Sequence, residues 1–197
     1  MNIIAWRHFL RARLFRLLRR PHDAIAEYRL ALAADRGFAR AAHALAYLLA
    51  DENRPGEAIQ ALRDAVRLEP ANAAAWFNLG FLLHEREHQI DAAVPAFREA
   101  VRLDPKLDRA WYGLGLAHAA LGDHAEAAKA FERVATLEPM NGHAWYQLGM
   151  SYHRLDNADK VKGVVEHLNC FERRLARQLI HDTGRGDLAH LVADLKA

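Results

Sequence analysis

Residues 84 to 88 read His-Glu-Arg-Glu-His, an H-E-x-x-H pattern that can hold a zinc ion. In that chemistry two histidines one helical turn apart bind the metal. The glutamate beside the first takes a proton from the bound water. The pattern needs an uninterrupted helix through His84 and His88, plus a third ligand from elsewhere in the chain. With 12 histidines in the chain, a chance match comes easily. Other candidate groups are weaker. Gly113 and Gly115 lie in a helical pattern without the lysine that follows a phosphate-binding loop. Residues 183 to 187, Thr-Gly-Arg-Gly-Asp, read as a turn. Cys170 is the single cysteine, so no internal disulfide can form, and its neighbours Leu168 and Phe171 suggest a buried, inert thiol.

Whether His84 and His88 share a helix depends on the elements around them, and the chain repeats itself. Ala75-Trp-Phe-Asn-Leu-Gly, Ala110-Trp-Tyr-Gly-Leu-Gly and Ala144-Trp-Tyr-Gln-Leu-Gly align, with Trp76, Trp111 and Trp145 spaced 35 and 34 residues apart. A second series begins at Ala58, Ala93 and Ala127 and ends at Pro70, Pro105 and Pro139, with the same spacing between prolines. An earlier copy starts at Ala42. In each copy Trp76, Leu79, Gly80 and Leu83, or their equivalents, fall on one face of a helix. Ala93, Phe97 and Ala100 make the stripe of a second helix, which the following proline closes. Gly80, Gly115 and Gly149 stand where two helices must approach closely.

The spacing W-x2-L-G-x2-(Y/L)…A-x3-F-x2-A…P resembles the tetratricopeptide repeat. The resemblance covers residues 39–175 as four copies. Residues 5–38 look like a degenerate further copy, in which Ala12, Phe15, Ala24, Tyr28 and Ala31 fit but Arg11 and Arg36 replace an expected leucine and proline. It implies an all-α, right-handed superhelical solenoid of antiparallel helix hairpins with a C-terminal capping helix. The expected organisation is an arginine-rich capping hairpin at 1–38, then three repeats at 39–72, 73–107 and 108–141. A fourth repeat at 142–182 has a second helix running on to about Ile180. A turn and final helix occupy 183–197, with Asp187 as N-cap and Leu188, Leu191, Val192 and Leu195 as its apolar face.

On this frame the helix bearing His84 ends near His84 or Glu85 and the next begins near Ile90. His88 therefore falls in the turn, in the one repeat with an extra residue, and the zinc reading lapses. No catalytic residue, metal or cofactor is expected.

Function then lies on the surface. The resemblance implies a concave groove lined by the first helices. Carried over copy by copy, its partner-facing residues are Arg40, His43 and Tyr47, then Phe77, Asn78, Phe81 and His84. The third copy supplies Arg109, Tyr112 and Leu116, and the fourth His143, Tyr146, Met150 and His153. Phe77, Tyr112 and Tyr146 hold equivalent places and would form a ladder of rings, either packed as core or open to a partner's extended or helical segment. The repeat subtype that clamps a chaperone's C-terminal carboxylate needs lysine and asparagine where this chain has His43 and Tyr47, and a cation where it has Gly113. That partner is rejected. The expected function is a non-catalytic, cytoplasmic scaffold or adaptor that binds another protein.

The formal net charge is only +2, so nucleic acid is not an expected partner, but the charge is uneven. Residues 1–20 hold six arginines and no acid, and the remaining 177 hold 21 basic and 25 acidic side chains, a net of −4. Arg13, Arg16, Arg19 and Arg20 could meet a membrane or an acidic partner. Arg7 and Arg11 share a stripe with Leu14 and Leu18, which breaks up an amphipathic anchor, so a capping role is favoured over a peripheral membrane assembly factor. Self-association stays open. No apolar run reaches the ~18 residues of a membrane span, and no secretory signal is expected.

Overall fold

The computed structural model describes residues 2–86 and 88–193, and among these there is no strand. Two compact units, Met1–Asp104 and Pro105–Ala197, divide the chain. The N-terminal unit holds α1 (Ile3–Leu17), α2 (Pro21–Ala34), α3 (Ala39–Asp51), α4 (Pro55–Leu68), α5 (Ala73–Glu85) and α6 (Ile90–Leu103). They pair as hairpins α1/α2, α3/α4 and α5/α6, with α2 against α3 and α4 against α5. The C-terminal unit holds α7 (Asp108–Ala120), α8 (His124–Leu137), α9 (Gly142–Arg154), α10 (Ala158–Phe171) and α11 (Arg173–Asp182), then a 3-10 segment, Gly186–Val192. Here α7/α8 and α9/α10 are hairpins, α8 lies on α9, and α11 packs on both α9 and α10.

The same local devices recur in both units. The turns after α1, α3, α5, α7, α9 and α11 each contain a left-handed residue: Arg19, Asn53, His88, Gly122, Asp156 and Gly184. The N–H of the next residue returns to a carbonyl of the last helical turn, as in Arg54 to Leu49 (2.8 Å) and Asn157 to Tyr152 (3.0 Å). This satisfies a carbonyl that the helix end would otherwise orphan. Asn72, Asp123, Asn141 and Asn157 cap the next helices by accepting backbone N–H groups.

The tryptophans and prolines of the repeat are bonded to each other. Trp76, Trp111 and Trp145 donate their indole N–H to the carbonyls of Pro70, Pro105 and Pro139 at 2.9, 3.1 and 2.9 Å. Each bond ties the end of one repeat to the first turn of the next. The glycines meet rings as expected. A Cβ on Gly80 would lie 2.8 Å from the Phe97 ring, and one on Gly115 would lie 2.7 Å from Phe131. In the fourth repeat Val165 holds the ring's place, and Leu179 from α11 comes in against Gly149, where a Cβ would meet it at 2.5 Å.

Four expectations for the C-terminal region need correction. The second helix of the fourth repeat does not run to Ile180. It ends at Phe171, Glu172 leaves helical geometry (φ −138°, ψ 64°), and α11 starts at Arg173. The break lets Leu175 and Leu179 turn onto α9, where Leu175 reaches Gly142 and Leu179 reaches Gly149. The final segment is 3-10 rather than α, with Leu188 and Val192 buried; Leu195 lies outside the described residues. Asp187 does not cap it, because its two carboxylate oxygens take Nε and Nη2 of Arg185, both at 2.8 Å. Arg185 also donates to the Ala158 carbonyl at 3.0 Å, tying the segment to α10. Cys170 is exposed, not buried. The buried stripe of α10 is Val161, Val164, Val165 and Leu168, and two residues beyond Leu168 a helix has turned to its opposite side.

Candidate functional site

His84 and Glu85 close α5, Arg86 follows as its C-cap, and His88 is left-handed at φ 52°. His88 is thus the residue that ends the helix, equivalent to Asn53 or Asp156. The extra residue widens this turn, because Gln89 reaches back to Leu83 (2.8 Å), six positions, where the other turns reach five. The two histidines do not share the helical face that zinc chemistry requires. Nδ1 of His84 instead faces the Glu85 carboxylate at 2.7 Å. Glu87 lies outside the described residues.

In the N-terminal unit a hollow of about 300 Å³ opens between α3 and α5. His43, Ala46, Tyr47 and Ala50 come from α3, Leu62 from α4, Asn72 from the α5 cap, and Ala74, Ala75, Asn78, Phe81 and Leu82 from α5. Small alanines on both helices leave the space, and large rings stand at its rim. Tyr47 is 64% exposed and Phe81 44%.

The polar groups of the hollow are few. Asn72 accepts the Ala75 N–H at 3.0 Å and donates to Glu69 at 3.2 Å, so its amide is largely committed. Its Nδ2 also lies 3.5 Å from Nδ1 of His43. Nε2 of His43 is buried without a partner. Burial pushes the His43 pKa below its ordinary 6.5, against the upward pull of Glu69, which keeps the ring neutral at pH 7. Asn78 is exposed and carries no hydrogen bond among the described residues. The hollow therefore offers an apolar floor, two aromatic walls and unused amide capacity in Asn78.

Of the groove residues expected in this unit, the hollow brings together His43, Tyr47, Asn78 and Phe81. Phe77 is half-buried between Phe81 and Phe97, its ring 6.2 Å from each. Arg40 is exposed and stands over Trp6. Neither Phe77, Arg40 nor His84 lines it. Asn72, Ala46, Ala50, Leu62 and Ala74 line it without having been anticipated. Asn72 carried a signal as an asparagine before an alanine-rich helix start. The alanines matter through what they leave empty, which no residue type announces.

In the C-terminal unit Leu116 and Met150 stand at the places of Tyr47 and Phe81, and Tyr112 and Tyr146 at those of His43 and Phe77. Tyr112 is half-buried with its ring edge-on to Phe131 at 5.6 Å, and burial raises its pKa. Leu116, Tyr146 and Met150 pack against the unit's buried core. The Tyr146 hydroxyl donates to Asp182 of α11 at 2.6 Å. Burial, then this bond, pushes Tyr146 up to about 12, and the same bond lowers Asp182. Arg109 and His143 are exposed. His153 lies beside a separate small hollow with Asn157, Thr183 and Arg185. Nearby, the Tyr152 hydroxyl donates to Glu132, whose carboxylate faces Lys160 at 3.6 Å; burial and this bond raise the tyrosine's pKa. Among the described residues no group of three or more His, Cys, Asp and Glu could hold a metal ion.

The arginines of α1 separate into two sets. Arg11 pairs with the buried Glu27 at 3.0 Å, beside His8 at 2.6 Å, and Arg20 pairs with Asp23 at 2.7 Å. Arg7, Arg13, Arg16 and Arg19 are exposed and pair with no carboxylate among the described residues.

Two tetratricopeptide repeat families match the chain in sequence, one at residues 81–137 and 120–160, the other at 47–86. Together they span residues 47 to 160, more than half of the chain. Among curated proteins none matches in sequence. Solved structures match in fold. MamA is 24% identical (TM-score 0.72), covering 88% of this chain and 96% of its own. YrrB, described as a TPR protein with an unusual peptide-binding site, is 24% identical (TM-score 0.77), covering 87% and 89%. PilF of Pseudomonas aeruginosa is 20% identical (TM-score 0.67), covering 97% and 89%. At these identities the likeness concerns the fold.

Proposed function

Because the chain belongs to the tetratricopeptide repeat family, we propose that it is a non-catalytic scaffold whose hollow between α3 and α5 takes an apolar side chain from a partner protein's segment. The observation that carries this reading is the pair of exposed rings, Tyr47 and Phe81, at the rim of an alanine-floored space. Rings of this kind supply large contact area at small entropy cost. The neutral His43 and the uncommitted Asn78 suit a backbone amide of the guest better than a carboxylate, since no cation lines the hollow. YrrB, a structural neighbour with a peptide-binding site, lends support. The place of action we propose is the cytoplasm.

The reading is tested by affinity purification and mass spectrometry with the intact chain and a Tyr47→Ala/Phe81→Ala variant. A defined set of proteins should be retained by the first and lost by the second, with the melting temperature unchanged. Equal retention by both would end this reading. A large drop in melting temperature would show instead that the rings serve the fold. The alternative function, docking at a membrane through the arginine-rich first helix, concerns α1 and leaves this hollow unchanged.

A further inference from the structure

The first helix has two apolar faces. Its inner face, Ala5, Phe9 and Ala12, is buried in the hairpin with α2. Its outer face carries Ile3, Leu10, Leu14 and Leu17, spaced seven, four and three apart, which places them on one stripe along a helix of about 22 Å. Each of the four is more than half exposed. A capping role accounts for the inner face and leaves the outer one without a purpose.

The sequence objection to an amphipathic anchor was that Arg7 and Arg11 interrupt the leucines. The fold removes part of it, because Arg11 is drawn to Glu27. Arg7 then borders one side of the stripe, and Arg13, Arg16 and Arg19 line a shallow hollow with Leu10, Leu14 and Leu17 on the other. None of these four guanidiniums is neutralised by a carboxylate of the described residues. Long arginine side chains lie along apolar surface while their heads reach outward.

We propose that the outer face of α1 docks on an anionic lipid surface, with the aliphatic stripe entering the interface and Arg7, Arg13, Arg16 and Arg19 meeting lipid phosphates and carboxylates. Charge complementarity selects this occupant, since four unpaired cations beside four aliphatic side chains are the two ingredients of interfacial binding. Nucleic acid would use the cations and leave the leucines in water. An acidic protein helix would need a directional pattern of polar contacts, and the face offers none besides guanidiniums. The attachment is peripheral, as no helix among the described residues is long and apolar enough to cross a membrane.

The test is co-sedimentation of the full chain with vesicles of phosphatidylcholine, alone or with about one third phosphatidylserine. The chain should sediment with the anionic vesicles and hardly with the neutral ones. Arg13→Gln/Arg16→Gln should bind roughly thirty-fold more weakly, and Leu10→Ser/Leu14→Ser at least about tenfold. Both variants change exposed positions, so circular-dichroism melting should match the parent and show that folding is intact. No sedimentation with anionic vesicles at low salt overturns the proposal, whether or not an acidic protein is bound instead. Undiminished binding of the leucine variant overturns it too, because the attraction would then be charge alone, as would tighter retention by single-stranded RNA than by vesicles.

Discussion

The hollow between α3 and α5 and the packing of α9 under α11 are built from the same repeat, yet they dispose of their rings in opposite ways. In the first, Tyr47 and Phe81 stand at the rim with much of their surface in water. In the second, Tyr146 lies against its unit's core, and its hydroxyl is held by Asp182. Tyr146 stands at the place of Phe77 rather than of Tyr47 and Phe81, and the way it is fixed traces to Val165. Where the second and third repeats have Phe97 and Phe131, the fourth has a smaller side chain, and Leu179 from α11 fills the room beside Gly149. Bringing Leu179 there brings Asp182 to Tyr146. An exposed apolar ring stabilises nothing until something covers it, whereas a covered and bonded ring already contributes to its own unit. Tyr47 and Phe81 therefore keep much of their surface in water, while Tyr146 is spent on the fold.

The sharpest way to break this contrast is to empty the packed side. Leu179→Ala removes a side chain with no exposed surface and should destabilise the protein by about 2–5 kcal/mol in denaturant unfolding. A loss near zero would mean that α11 does not hold α9. On the open side, Tyr47→Ala/Phe81→Ala should weaken capture of a partner about tenfold or more while stability moves by roughly 0.5 kcal/mol per site. A stability loss as large as that of Leu179→Ala would erase the distinction.

A smaller effect concerns the turn that closes the open side. His88→Gly relieves a left-handed histidine and should leave stability unchanged or raise it by up to about 1 kcal/mol. Bound zinc, measured by atomic absorption, that disappeared in this variant would instead restore a metal role. The smallest effect is a titration. Tyr146, pushed from its ordinary 10.0 to about 12, should ionise late when absorbance is followed with rising pH. Its raised pKa means that the folded state prefers the neutral phenol. The associated stability is complete below pH 10.0 and is lost as pH rises through about 12. Asp182→Asn should bring the titration back part of the way, since burial is the larger cause.

Much of the architecture was legible residue by residue. The spacing of Trp76, Trp111 and Trp145 against Pro70, Pro105 and Pro139 identified the hairpins, although the indole-to-carbonyl bonds joining them became visible only in three dimensions. The boundary between α5 and α6 at Glu85 and Ile90 followed from counting along the repeat, and with it the fate of His84 and His88. Four of the seven residues assigned to the groove in the N-terminal unit meet at one hollow, while Phe77, Arg40 and His84 turn elsewhere. A family pattern places a position on a helix face, but neighbours determine which side chain points outward. Cys170 was misjudged because Leu168 and Phe171 are near it in sequence and the helical turn puts it on the far side.

Local chemistry settled what depends on a few consecutive residues. Helix faces, left-handed turns, asparagine caps and close-approach glycines each require a particular residue type at a particular spacing, and such requirements can be read along the chain. Long-range contact settled the rest. The chain breaks at Glu172 and Leu175 and Leu179 turn onto α9, Arg185, held to the Ala158 carbonyl of α10, takes the carboxylate that would have capped the last segment, and Glu27 draws Arg11 off the outer face of α1. The contacts that join residues tens of positions apart, such as Leu179 with Gly149, gain their free energy only once the helices have met.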